Sequence, residues 1–305
     1  SMTDPARILV ITLSNIGDAI MTTPVMEFLH HEHPQARMDI VADPRSSRLF
    51  DACPYRGNVF HRHKRDGVRG LATLLRQLRR TRYELIVDLR TDGLTCLLHG
   101  RRKLTRRSAR PLGPHAVERH MAVLAREWPA PAIPPTRVWL TEAQRGKARQ
   151  SVAVLPGRRW LALGPGANWP PKIWPMEHYR NLLGIIRDQI DAVLLLGNDS
   201  DRHLCAALAR QDGVPTLDLS GRTDLLESAA VLEQALAFIG NDSGLGHLAA
   251  AVDVPTLTLF GPGEPPRYHP WHPRARWLSS PTGQIHDLSV DRVATQLRQL
   301  IASGS

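Results

Sequence analysis

The sequence predicts an α/β protein built from two doubly wound parallel sheets, and three observations carry that expectation. Short apolar runs that read as buried strands alternate with amphipathic segments of helical period along the whole chain. The connections are short, and several are glycine-bearing turns that follow a strand and precede a helix. The alternation halts once, at Pro129-Ala-Pro-Ala-Ile-Pro-Pro135, and then restarts. The 305 residues therefore divide into an expected first domain of residues 1–150 and a second of residues 151–305. Two such sheets in sequence place a ligand cleft between the domains.

In the first half, Ile8 to Thr12 reads as a strand and Ala19 to His30 as a helix. Met38 to Val41 and Leu85 to Asp88 are further strands, with a helix over Leu71 to Arg80 between them. Pro114 to Trp128 reads as a helix with proline in its first turn. Thr141 to Ser151 suits a short helix leading across the linker. In the second half, strands are expected at Trp160 to Leu163, Ala192 to Leu196, Thr216 to Leu219, Leu236 to Ile239 and Thr256 to Phe260. Helices are expected at Glu177 to Gln189, Asp201 to Arg210 and Asp224 to Gln234, the last with an acidic first turn. An Ala/Leu-rich helix follows Gly244, and Val290 to Ile301 closes the chain with a helix that could pack back on the first domain.

Composition narrows the class. A hydrophobic fraction of 42% with mixed charges indicates a globular chain. No apolar run reaches the ~20 residues needed to span a bilayer, and no signal peptide is expected. Ser1-Met2 reads as a cloning remnant. Cys53, Cys96 and Cys205 are odd in number and lack CxxC spacing, which argues for reduced thiols and against a zinc cluster or disulfide framework. The net charge of +10 is lopsided: residues 1–150 hold 26 Lys/Arg against 14 Asp/Glu, whereas residues 151–305 hold 13 against 15. The excess concentrates in Arg62 to Arg65, Arg76 to Arg82 and Arg101 to Arg107. A half charged in this way is suited to a polyanion or a phosphorylated substrate. Aromatic residues make up only 5% and do not interleave with the basic runs, so nucleic acid is not the expected partner.

Three strand-to-helix turns carry the chemistry. Thr12-Leu-Ser-Asn-Ile-Gly-Asp18 places Asp18 at a helix start, as a general base for a hydroxyl or as an N-cap. It lacks the G-x-G-x-x-G dinucleotide fingerprint. Gly164-Pro-Gly-Ala-Asn-Trp-Pro-Pro-Lys-Ile-Trp-Pro175 holds Lys172 between rigid neighbours, as a point charge for phosphate. Trp169 and Trp174 could frame a sugar or base there, or cap the core rim. In Phe238-Ile-Gly-Asn-Asp-Ser-Gly-Leu-Gly-His247, the small residues Ser243, Gly244 and Gly246 let an anion approach a helix N-terminus, with Asp242 or Ser243 as an ordinary N-cap in the plainer reading. His247 sits one turn into that helix. Asp199 and Asp201, after Leu196-Gly-Asn198, could bind ribose hydroxyls or cap a helix.

Together, Ile8-Leu-Val-Ile-Thr-Leu-Ser-Asn-Ile-Gly-Asp-Ala-Ile-Met-Thr-Thr-Pro24, the Gly164 to Pro175 segment, Asn241-Asp-Ser-Gly-Leu-Gly-His-Leu-Ala-Ala-Ala251 and Leu259-Phe-Gly-Pro262 resemble glycosyltransferase family 9, the ADP-heptose:lipopolysaccharide heptosyltransferases. The resemblance implies a GT-B fold of two Rossmann-like domains with an interdomain cleft. It implies inverting, metal-independent transfer of a heptose or similar sugar from an ADP-sugar donor to a lipopolysaccharide core acceptor, with no cofactor. Carried over by position, Asp18 is the base. Lys172, Ser243, Gly244, Asp242 and His247 belong to the donor site, and Asp201 (with Asp199 as the alternative) meets the ribose. The anionic glycolipid acceptor would then meet the basic half, with Arg62, Lys64, Arg101 and Arg102 as contacts and the Arg101 to Arg110 stretch as a short basic loop. A cytoplasmic enzyme in contact with the inner-membrane surface follows. A protein-directed heptosyltransferase and a sugar-nucleotide epimerase share these features, as does a nucleotide-binding module without catalysis.

Overall fold

The computed structural model describes residues 6–90, 93–210 and 213–303, apart from the side chain of Ser108, so Ser1-Met2 lies outside the described residues. Two compact units divide between Trp139 and Leu140. The first runs β1 (Arg7–Ile11), α1 (Ile16–Ile20), α2 (Thr23–Glu32), β2 (Arg37–Ala42), β3 (Arg56–His61), α3 (Gly67–Leu78), β4 (Tyr83–Asp88), β5 (Gly100–Leu104) and α4 (Ala116–Ala122). The second runs α5 (Glu142–Val152), β6 (Trp160–Gly164), α6 (Met176–Ile186), β7 (Ala192–Leu195), α7 (Arg202–Ala209), β8 (Thr216–Asp218), α8 (Leu225–Glu233), β9 (Ala237–Asn241), α9 (Gly244–Ala251), β10 (Thr256–Phe260), α10 (Pro265–Tyr268), β11 (Ala275–Ser279) and α11 (Val290–Ser303).

Both sheets are parallel throughout, ordered β3-β2-β1-β4-β5 and β11-β10-β9-β6-β7-β8. Each winds outward from its first strand, then returns to that strand and winds the other way. The reversal falls between β1 and β4 in one sheet and between β6 and β9 in the other. This is the Rossmann-like, GT-B arrangement expected from the sequence. Crossover helices cover both sheet faces, so the central strands are apolar on both sides: Leu9, Val10 and Ile11 in β1 and Phe238 and Ile239 in β9 are buried completely.

Several elements differ from the sequence expectation, each for a local reason. The single helix expected over Ala19 to His30 is two helices. Pro24 has no N–H to continue the ladder, and the Thr22 and Thr23 hydroxyls donate to the carbonyls of Ala19 and Ile20, at 2.6 Å each. Beyond Ala122, α4 tightens into i→i−3 turns at Val123, Leu124 and Ala125 instead of running to Trp128. Arg101 and Arg102 do not sit in a loop: they lie within edge strand β5. The helix α5 lies within the second unit. It packs on α8, where Arg145 pairs with Glu233 at 2.9 Å, so the division falls before residue 150. The closing helix α11 packs on α6, and Arg298 donates to the Ile185 carbonyl at 3.1 Å.

Candidate functional site

Loops from β6, β7, β9 and β10 converge at the C-terminal edge of the second sheet, where its winding reverses. In open α/β sheets this is where ligands bind. Asn241, the last residue of β9, is wholly buried and organises them. Its Oδ1 accepts from the Trp174 main-chain N–H at 3.2 Å and from the Tyr179 hydroxyl at 2.8 Å. Its Nδ2 donates to the carbonyls of Pro165, at 2.6 Å, and Gly166, at 3.4 Å. One amide thus pins both ends of the segment that carries Lys172.

Lys172 lies in a 3-10 turn (Pro170–Lys172) and forms an ion pair with Asp242 at 3.1 Å, both side chains being partly buried. Asp242 leads into α9, whose N-cap position is Ser243. The Ser243 side chain makes no capping bond, and its Oγ is buried with no hydrogen-bond partner among the described residues. The α9 N-terminus therefore presents first-turn amides and the positive end of the helix dipole without a side-chain cap. Gly263, after β10, approaches the Asp242 carboxylate closely, with 3.4 Å left for a Cβ. A rigid cation beside an uncapped helix N-terminus is an arrangement that holds phosphate oxygens.

Of the two acidic candidates after β7, the structure brings only Asp201 to this place. Its carboxylate lies against the backbones of Gly166 and Gly197, where a side chain at either glycine would collide with it, and it accepts from the Asn198 N–H at 3.1 Å. Asp199 is 84% exposed and pairs with Arg202 at 3.2 Å. Trp174 does not frame a ligand. It is fully buried, with its indole N–H on the Leu288 carbonyl at 3.0 Å, whereas Trp169 is exposed. His247 is buried too, with an Nδ1 that lacks a partner among the described residues. Burial, helped by the nearby His269, pushes its pKa down to about 4, so the ring is neutral at physiological pH.

The matching edge of the first sheet holds the other predicted group. Asp18 sits in the first turn of α1 and does not cap it: Asn15 occupies the N-cap position and donates from Nδ2 to Asp18 Oδ2 at 3.3 Å. The loop before it is tied down by Arg90, which follows β4 and donates to the Ser14 hydroxyl. Burial, and then the like charge of Arg62, lower the Arg90 pKa, with Asp43 and Asp88 acting the other way. Burial would raise the Asp43 carboxyl, but the Arg45 N–H and guanidinium together with Arg90 outweigh it and hold the group below the ordinary range. Arg62 follows β3 and is half-buried, and Lys64 opens an exposed 3-10 turn. Arg101 is exposed, and Arg102 is paired with Glu127 at 3.0 Å.

Sequence reasoning missed Asn241 as an organiser and missed the Ser14, Asp43 and Arg90 cluster. Position was the signal available: each stands within three residues of the end of an apolar strand run, at the ligand-facing edge of a parallel sheet.

The comparisons with known proteins agree with this geometry. The family model described as glycosyltransferase family 9 (heptosyltransferase) matches residues 97–297. The chain is 30% identical to lipopolysaccharide heptosyltransferase 1 of Pseudomonas aeruginosa, over 85% of this chain and 79% of that protein. It is 25% identical to lipopolysaccharide heptosyltransferase 3 of Escherichia coli, over 84% of this chain and 82% of that one. Among solved structures, E. coli ADP-heptose lps heptosyltransferase II superposes with a TM-score of 0.79 at 25% identity, covering 97% of this chain and 99% of that one. A family 9 glycosyl transferase from Veillonella parvula superposes with a TM-score of 0.86 at 18% identity, covering 99% of each chain. With a family model spanning more than half of its length and a relative at this identity, the chain belongs to glycosyltransferase family 9, the heptosyltransferases.

Proposed function

We propose that this protein transfers a heptose from ADP-heptose to the core sugar of a lipopolysaccharide acceptor, with inversion and without a metal ion. The observation that carries the reading is Lys172 beside the uncapped N-terminus of α9. Breaking the sugar–diphosphate bond leaves negative charge on the departing phosphate. A fixed ammonium and preorganised backbone amides stabilise that charge in the transition state. A bound diphosphate competes with Asp242 for Lys172, so the pair loosens as the donor enters. Asp201, against Gly166 and Gly197, is suited to a ribose hydroxyl. The names of the relatives support the sugar and the acceptor, since both curated proteins are lipopolysaccharide heptosyltransferases. The donor base is supported by the solved E. coli protein named for ADP-heptose.

In this mechanism the Asp18 carboxylate takes the proton from the acceptor hydroxyl as its oxygen attacks the anomeric carbon. The attack comes from the side opposite the diphosphate, so the configuration inverts as the diphosphate leaves. The basic residues Arg62, Lys64, Arg101 and Arg102 are assigned to the anionic acceptor, which agrees with the excess of Lys/Arg over Asp/Glu in residues 1–150.

The test is a product assay with ADP-, GDP- and UDP-heptose against a delipidated core acceptor, run with and without excess chelator. The expected result is a new glycoside and ADP release from the ADP donor alone, undiminished by chelator. Transfer that stops with chelator and returns with Mg²⁺ would refute metal independence, and an isomerised donor without glycoside would favour an epimerase.

A further inference from the structure

A groove of about 860 Å³ opens in the first unit, between the last turn of α2 and the proline segment that follows Trp128. The helix α2 runs back along the sheet and is followed at once by β2, so the groove lies at the sheet edge opposite Asp18. Both ends of the proline segment are fixed. The Trp128 N–H donates to the Leu124 carbonyl at 2.9 Å, and the Arg137 N–H donates to the Thr23 hydroxyl at 2.9 Å. Between these ties, Pro129, Pro131 and Pro134 restrict the backbone, which makes the groove preformed. Its surface is mostly apolar, with the Phe28 and Trp128 rings edge-on at 5.4 Å between centroids.

The charge of this groove is the reverse of its surroundings. Residues 1–150 hold 26 Lys/Arg against 14 Asp/Glu. Yet among the described residues the groove is lined by Glu27 and Glu32 and by no Lys or Arg, whereas three other grooves of the same unit each take in arginine. Glu27 is engaged by the Tyr55 hydroxyl at 3.2 Å and by Arg137 at 3.4 Å. Glu32 stands 3.8 Å from His31 Nδ1 and keeps its side chain 37% exposed. It also sits at the negative end of the α2 dipole. Pro34, two residues further on, has no N–H to give to the His30 carbonyl.

We propose that this groove binds a small organic cation with an apolar body, such as an aromatic amine. The body packs on Phe28, Trp128 and Ile133, as in other concave apolar sites with a few polar groups. The ammonium group meets Glu32, the His30 carbonyl and the negative end of the helix, and attraction to the Trp128 ring adds to this. An uncharged ligand gains only the apolar part, and an anion is repelled by the carboxylates. The groove shares no residue with the Asp18 turn, the donor loops or the basic residues assigned to the acceptor, so it stands independently of the transferase reading.

The experiment is titration calorimetry of the whole protein with naphthylmethylamine, a cation at neutral pH, and with naphthylmethanol and naphthoate, its neutral and anionic counterparts. The amine is expected to bind at a single site, the alcohol about tenfold more weakly and naphthoate more weakly still. Glu32→Gln should weaken the amine about fivefold, the scale of a part-exposed ion pair, and leave the alcohol unchanged. Glu177→Gln, which removes an exposed acid from α6, should change neither. Ala132 is exposed and lines the groove, so Ala132→Trp should fill it and abolish binding of both, with circular dichroism and melting temperature unchanged. Equal affinities for the amine and naphthoate would overturn the proposal, as would equal losses in the two glutamate variants or full binding by Ala132→Trp. Displacement of the amine by ADP would put it in the donor loops and overturn the proposal too. A parent that dimerises in sedimentation, and that Ala132→Trp keeps monomeric, would give the groove to a second copy instead of a ligand.

Discussion

Replacing Asn241 with alanine removes the acceptor of two buried donors and the donor to two carbonyls in one step. The carbonyls of Pro165 and Gly166 retain a second lone pair and lose less. The Trp174 N–H and the Tyr179 hydroxyl are left without their acceptor in the core, and Tyr179 is fully buried. An orphaned buried donor costs about 1–3 kcal/mol, so the two together set an expected loss of about 3–5 kcal/mol. For a unit of this size each kcal/mol lowers the melting temperature by about 2–4 °C, which predicts a fall of about 6–20 °C. Calorimetry of Asn241→Ala, Tyr179→Phe and the double variant measures this directly. Tyr179→Phe alone removes one bond cleanly and should cost about 1 kcal/mol. The double variant should be less destabilised than the sum, because the hydroxyl orphaned by Asn241→Ala is gone. A single variant that melts within about 1 °C of the parent, or strict additivity in the double, would refute the claim that this amide holds the loops.

Asp18→Asn should abolish transfer while donor affinity and melting temperature stay near the parent values, and retained turnover would remove the base assignment. Lys172→Ala should weaken ADP binding by calorimetry at least tenfold, as loss of one charge-assisted contact of about 1.5–3 kcal/mol requires; unchanged affinity would exclude it from the phosphate site. Asp201→Asn should reduce ADP affinity and Asp199→Asn should not, since Asp199 is turned to solvent with Arg202; the reverse order would exchange the two roles. The His247 pKa is depressed in the folded state, so the unfolded chain binds the extra proton first as pH falls. Stability is therefore unaffected above the ordinary value of 6.5, declines from there to about 4, and then levels off. The full effect is at most roughly 3 kcal/mol. His247→Gln should flatten that part of a melting-temperature profile, and an unchanged profile would place the acid sensitivity elsewhere.

The parts of the fold that were legible in the sequence are those whose physics is local. Strands β1, β9 and β10 are buried on both faces: Ile8 to Ile11 and Ala237 to Ile239 show as apolar runs, and Thr256 to Phe260 alternates only threonine with leucine before its final phenylalanine. The edge strands β3, β5 and β11 were not legible, because half of each faces outward: Gly100-Arg-Arg-Lys-Leu104 reads as a basic loop until its pairing with β4 is seen. The candidate site divides the same way. Asp18, Lys172 and the turn after β9 were marked by glycines and strand ends. What could not be read is partnership across the chain: that Lys172 meets Asp242, that Asp201 covers Gly166, and that Trp174 is spent on the core. Those facts depend on which loops the winding of the sheet brings together, and local composition does not encode it.

Asn241 also couples the order of the loops after β6 to the second sheet. Oxygen and nitrogen ends of one buried amide face opposite partners, so aspartate would set a carboxylate against two carbonyls and leucine would satisfy none of them. Because those partners include the backbone flanking Lys172, the shape of this segment is tied to β9 in the folded sheet. The entropy of ordering it is met once, at folding, and need not be met again at each encounter with a ligand.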